Sequence, residues 1–153
     1  MKKANTLPII FASVFILFVI IAADVILRRT QTNTLFASIG MILVVFGFVL
    51  REASHASLGK NFTYEVRFVK EHELITTGVH EYIRHPAYTG LFLVAAGMCV
   101  ALASIIGLIA AILILLPVGF WRVHVEEKAL IEYFGKKYIS YKKRVKAFVP
   151  YIF

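Results

Sequence analysis

HPAYTGLFLVAAGMCVALASIIGLIAAILILLPVGFW, residues 85–121, runs for 37 positions without an Asp, Glu, Lys or Arg. As a single helix it would reach about 55 Å at 1.5 Å per residue, far beyond the roughly 30 Å hydrocarbon core of a bilayer. Two short spans joined by a tight turn near residues 103–107 fit that thickness, with Ser104 and Gly107 as the breakers. Gly90, Ala95, Ala96, Gly97 and Ala101 would let the two helices of this hairpin approach closely. Pro86 donates no backbone hydrogen bond and disfavours helix at the residue before it, so the first of the two helices should start there.

Upstream, residues 7–27 and 35–50 form two more apolar segments, separated by a polar turn at residues 30–34. The first is longer than the apolar part of a signal peptide and reads as a retained membrane helix. The second is slightly short and can be extended by snorkelling of Arg51. Asp24 and Arg28, four residues apart, share a helix face and can hold their charges near the interface.

Composition agrees with a membrane protein. Of the 153 residues 59% are hydrophobic and 17% charged, with mean hydropathy +0.78. Soluble domains have roughly 45–50% apolar and about 25% charged residues. The net charge of +8 therefore points to anionic lipid and the positive-inside bias, with no nucleic acid as partner. Cys99 is the only cysteine, which excludes an internal disulfide and a cysteine zinc site.

Between residues 51 and 85 the character changes: five basic and five acidic residues alternate, and His55, His72, His80 and His85 all fall there. A loop of that length is expected to be functional. Residues 62–69 alternate apolar and polar and suggest extended chain. The histidine spacings of 17, 8 and 5 match no compact ligand motif, so no metal is expected. Residues 78–90 concentrate His80, Glu81, Tyr82, Arg84, His85 and Tyr88 between glycines. Arg84 and His85 fall at the mouth of the helix beginning at Pro86, where unpaired N–H groups and the dipole favour an anionic group.

Beyond the hairpin, Arg122 and Glu126 lie one helical turn apart. Leu130, Phe134, Tyr138, Tyr141, Val145 and Phe148 follow at spacings of 4, 4, 3, 4 and 3, with Gly135 expected to split the stretch into two helices. Lys136, Lys137, Lys142, Lys143, Arg144 and Lys146 lie mostly off that stripe, as in a basic amphipathic helix resting on anionic headgroups. With four spans and both termini on one side, only Arg28 and Arg29 among the basic residues fall opposite. The positive-inside rule makes the rich side cytosolic. The expected fold is all-α: a polytopic membrane protein of about four transmembrane helices, the last two a hairpin, with C-terminal amphipathic helices. It forms one domain, residues 1–57 supplying the first helices and 58–153 the cofactor-binding and catalytic part.

Taken together, Leu58-Gly-Lys-Asn-Phe62, His72-Glu-Leu-Ile-Thr-Thr-Gly78, Arg84-His-Pro-Ala-Tyr-Thr-Gly90, Arg122 with Glu126-Glu127, Phe134-Gly135, Tyr138 and Tyr141-Lys-Lys-Arg-Val145 resemble the isoprenylcysteine carboxyl methyltransferase family. That family belongs to a wider group of membrane methyltransferases that includes phospholipid N-methyltransferases. The resemblance covers residue 58 to the end; the first two spans carry no matching motif. It implies methyl transfer from S-adenosyl-L-methionine to a lipophilic, lipid or prenylated acceptor, with a carboxylate favoured. It also implies cofactor contacts at His72, Glu73, Leu74, Ile75, His85, Pro86, Ala87, Tyr88 and Glu126, and at His80, where the family usually has Tyr. Arg122 is implied for the acceptor carboxylate, and Arg122 and Glu126 are the expected catalytic pair. The competing readings are a lipid-amine N-methyltransferase, an NADPH-dependent membrane sterol reductase and a non-enzymatic membrane adaptor.

Overall fold

The computed structural model describes residues 6–28, 32–59 and 73–151. The suspected extended stretch at 62–69 and His72 lie outside the described residues. The described chain is mostly helical: α1 (Leu7–Arg28), α2 (Thr34–Leu58), a 3-10 turn (Gly78–Glu81), α3 (Pro86–Ala101), α4 (Ile105–Ala110), a π-helical turn (Ala111–Leu115), α5 (Leu116–Phe134) and α6 (Lys136–Arg144). From α4 to α5 the chain forms one rod, Ile105–Phe134, of 30 residues. Three helices, α1, α2 and this rod, are long and apolar enough to cross a membrane, and α3 is a shorter apolar helix.

The hairpin forms where the charge-free run predicts it. α3 begins at Pro86 and ends at Ala101; Ala103 turns the chain at φ 50. Ser104 then caps the next helix, its Oγ accepting from the Gly107 N–H at 3.0 Å. The same hydroxyl donates to Asp24 at 2.8 Å. Asp24 is therefore buried between α1 and the turn rather than sitting at the surface, while its expected partner Arg28 remains 2.8 Å away. A buried carboxylate in an apolar bundle needs such partners.

α2 runs eight residues past its expected end at residue 50. Its last turns contain Arg51, Glu52, Ala53, Ala56 and Leu58, all good helix formers, and it stops only at Gly59, φ 48. The small residues of α3 also act differently from expectation. Gly90 and Gly97 face α2, where they meet Gly47 and Gly40 in antiparallel order. A Cβ added at Gly47 would lie 2.6 Å from the Gly90 carbonyl oxygen, and one at Gly97 would lie 2.7 Å from that of Gly40. Lipid tails are as apolar as side chains, so helices gain most from close backbone approach, which glycine permits. The opposite face of α3 presents Ala95 and Cys99 to Leu17 and Ile21 of α1 and to Ala110, Ala111 and Leu115. α3 is thus sandwiched: α2 on one side, α1 and the rod on the other.

The π turn has a local cause. Pro117, in the first turn of α5, lacks an N–H and its ring crowds the carbonyl four residues earlier, so the helix widens just before it. Outward faces of α1 and α2 stay apolar and exposed, with Phe11, Phe15, Phe18, Ile42, Phe46 and Val49 among them. In water this surface would be a liability; against lipid it is the expected solvent-facing composition.

Candidate active site at the polar end of the bundle

Glu127 organises this end. Buried at 6% exposure, its Oε1 accepts from Arg84 Nε (2.9 Å) and Nη2 (2.7 Å), and His85 Nε2 lies 3.2 Å away. Lys142 Nζ donates to Oε2 at 2.5 Å, and the Tyr138 hydroxyl reaches Oε1 at 3.4 Å. Charge-assisted donors on both oxygens hold a carboxylate ionised in spite of its burial. One side chain therefore joins α5, α6 and the segment entering α3.

The chain after α6 completes this corner by zipping back along the α3 entry. Ile83 and Lys146 form a parallel bridge. The Arg84 N–H donates to the Lys146 carbonyl (2.8 Å) and the His85 N–H to the Ala147 carbonyl (3.0 Å). Thr89 Oγ1 donates to the Phe148 carbonyl at 3.0 Å. Arg84 Nη1 also donates to the Lys142 and Val145 carbonyls. Arg84 is thus spent on structure, which corrects the expectation that it would meet an external anion at the helix mouth. The physical reason is proximity: the tail supplies acceptors there, and a buried guanidinium takes them.

Arg122, Tyr88 and Glu126 lie beside this scaffold. Arg122, 4% exposed, donates through Nε to the Tyr88 hydroxyl at 3.0 Å. That hydroxyl donates to Glu126 Oε2 at 3.2 Å. The i,i+4 spacing does bring Arg122 and Glu126 together, with a phenol from α3 joining them. An aromatic wall adjoins: Phe148 meets Phe120 edge-on at 4.9 Å, with Phe92 at 5.8 Å and His85 at 6.2 Å.

Of the remaining expected contacts, Glu73 is exposed and Leu74 and Ile75 are half-buried in irregular chain leading to the 3-10 turn. Pro86 is buried and Ala87 half-buried in the first turn of α3. His80 points into the structure: it is 5% exposed, Nε2 lies 3.5 Å from Ser54 Oγ of α2, and its carbonyl accepts from the Tyr141 hydroxyl at 2.5 Å. Its Nδ1 has no hydrogen-bond partner among the described residues. Burial, and then the charge of nearby His85, lower its pKa to about 4, so it is neutral. Burial likewise pushes the Tyr141 phenol up to about 12 and the Tyr138 phenol upward, which keeps both as donors. The stripe at residues 130–148 is amphipathic as expected, but Tyr138, Tyr141 and Phe148 face this polar corner rather than lipid. Sequence reasoning missed Glu127 as the hub and Ser54 as a neighbour of His80. The adjacent Glu126-Glu127 was the available signal, since two successive helix positions must face different surroundings.

Glu126 is half-buried, and a carboxylate offers about four lone-pair sites. Among the described residues the Tyr88 hydroxyl takes one of them.

The isoprenylcysteine carboxyl methyltransferase family model matches residues 39–132. The chain belongs to that family. The match starts within α2, so the second span belongs to the shared part, although no motif was recognised there. Protein-S-isoprenylcysteine O-methyltransferase of Xenopus laevis is 38% identical over 116 residues, 74% of this chain and 40% of the relative. The Saccharomyces cerevisiae enzyme of the same name is 37% identical over 74% of this chain and 48% of its own length. Protein-S-isoprenylcysteine O-methyltransferase B of Arabidopsis thaliana is 30% identical over 76% and 60%. A solved eukaryotic intramembrane Ras methyltransferase of this family superposes with TM-score 0.77 at 25% identity, covering 93% of this chain and 52% of that one. The chain thus spans about half the length of the relatives it matches. It is a multi-pass integral membrane member of a methyltransferase family.

Proposed function

We propose that this protein is an S-adenosyl-L-methionine-dependent methyltransferase of the membrane, acting on a lipophilic or prenylated acceptor that carries a carboxylate. The observation that carries the reading is the chain from Arg122 through the Tyr88 hydroxyl to Glu126, beside an aromatic wall at the end of the spans. Glu126 would hold the ammonium of the methyl donor, with residues 85–87 and 73–75 along its other parts and Tyr88 acting through its bonds to Glu126 and Arg122. Arg122 would orient the acceptor carboxylate, since a planar guanidinium matches it bidentately and sits where water is scarce. When bound, the donor supplies an electrophilic methyl group and leaves as a neutral thioether, so a carboxylate acceptor needs no general base. Positioning and fixed charges therefore supply most of the rate. His124 is exposed and takes no part in this scheme.

Sidedness follows from charge. The positive-inside rule supports a cytosolic active site, with both termini on that side. The exposed Lys136, Lys137, Lys143 and Arg144 of α6 would face anionic headgroups.

The test is incorporation of label from methyl-labelled S-adenosyl-L-methionine by the purified protein in nanodiscs. S-farnesylcysteine and extracted host lipids serve as acceptors. The expected product is a methyl ester, released by alkali. Alkali-stable label on lipid would replace the carboxylate by an amine, and NADPH binding without donor binding would overturn the methyltransferase reading.

A further inference from the structure

Arg122 and Glu126 stand at the one-turn spacing at which opposite charges on a helix ordinarily pair. In this structure the Tyr88 oxygen is interposed, accepting from Arg122 Nε at 3.0 Å and donating to Glu126 Oε2 at 3.2 Å. That oxygen belongs to α3, so its place is not set by the Arg122 and Glu126 side chains that it separates. The start of α3 is pinned by Glu127 to His85 and by main-chain bonds to Lys146 and Ala147, and the His85 ring meets the Tyr88 ring edge-on at 6.0 Å. A hydroxyl held by a separate element can keep two charges apart.

We propose that Tyr88 is a positioning residue whose hydroxyl spaces Arg122 from Glu126, so that the cation and the anion do not neutralise each other before ligands arrive. The assignment rests on the functional reading above, in which the two charges serve different ligands. A direct pair in a water-poor site attracts far more strongly than one in bulk water. It would compete with the donor's ammonium for Glu126 and with the acceptor's carboxylate for Arg122. The phenol prevents this at small cost: it offers one donor and one acceptor, satisfies one position on each charge, and leaves the carboxylate's other lone pairs for a ligand. Phenylalanine would fill the same space without the spacing oxygen.

The test is calorimetric binding of S-adenosylhomocysteine to the full chain in detergent. Four proteins are compared: wild type, Tyr88→Phe, Arg122→Gln and the double variant. Tyr88→Phe is expected to bind about tenfold more weakly, because the guanidinium closes on Glu126. Arg122→Gln should bind within about threefold of wild type. The double variant should regain the affinity of Arg122→Gln, since no cation remains to mask the carboxylate. A double variant as weak as Tyr88→Phe would show that the phenol contacts the cofactor directly, and would overturn the spacer role. Unchanged binding in Tyr88→Phe would overturn it too. If Tyr88→Phe alone fails to fold, the double variant against Arg122→Gln still decides: equal affinity supports the spacer, and a tenfold loss contradicts it. Wild-type protein that ignores the probe would instead overturn the site assignment, and the spacer role with it.

Discussion

The α2–α3 interface and the polar corner around Glu127 are both tightly packed, by opposite means. Between α2 and α3 the contact is made by side chains that are missing: Gly40 against Gly97 and Gly47 against Gly90. Around Glu127 it is made by side chains in excess, with Arg84, His85, Tyr138 and Lys142 converging on one carboxylate. The first arrangement suits lipid, where close backbone approach is the main source of attraction. The second suits the place where the chain leaves lipid and charges can be matched. Between them α3 carries Tyr88, so the site is built on a helix fixed sterically along one side and electrostatically at one end.

The largest effect should come from breaking the glycine side. Gly47→Leu places a side chain where even a Cβ would lie 2.6 Å from backbone, and backbone cannot yield as a flexible side chain can. Loss of monodisperse protein on size exclusion is expected. A well-folded variant would show that α2 and α3 do not need this contact. Next, Glu127→Ala leaves Arg84 and His85 without their carboxylate, a loss of roughly 3–5 kcal/mol for a broken buried pair. It should appear as a large drop in melting temperature and as proteolysis of the tail after residue 144. A variant that melts like wild type would make the hub incidental.

A smaller, pH-dependent effect is expected at His80. Its folded pKa of about 4 lies below the ordinary 6.5, so the unfolded chain binds the proton more readily between these values. Stability from this group is full above about pH 6.5 and falls as pH drops toward 4. Melting temperatures at pH 7 and pH 5 should differ less in His80→Gln than in wild type; an identical difference would remove His80 from the account. Least is expected at the lipid face of α6. Lys143→Gln and Arg144→Gln should each weaken association of the protein's polar end with anionic nanodiscs by about 1 kcal/mol. The check is protection of α6 amides from exchange in anionic against neutral lipid, and equal protection in all variants would discard the headgroup contact.

Much of this was legible from local chemistry. Pro86 starts α3, Ser104 and Gly107 mark the hairpin turn, and Gly135 at φ 56 separates α5 from α6. Each follows from what a residue can or cannot do with its own backbone. Pro117 carried the same kind of signal for the π turn. What local chemistry does not reveal is partner choice. Gly90 and Gly97 announce a close approach without saying that α2, rather than the hairpin partner, makes it. Arg84 reads as an anion binder until the tail returns some sixty residues later to occupy it. The family motifs brought Arg122, Tyr88 and Glu126 to one site, but their order of hydrogen bonding is tertiary information.

The central claim is that the Arg122–Tyr88–Glu126 cluster, and not the Glu127 corner, receives the methyl donor's charged end. It is tested most directly by titrating S-adenosylhomocysteine into wild type and Glu126→Ala in detergent, both checked for equal melting. The account expects Glu126→Ala to weaken binding by roughly 1.5–3 kcal/mol, the worth of a lost charge-assisted hydrogen bond. Equal affinity in the two proteins would contradict it.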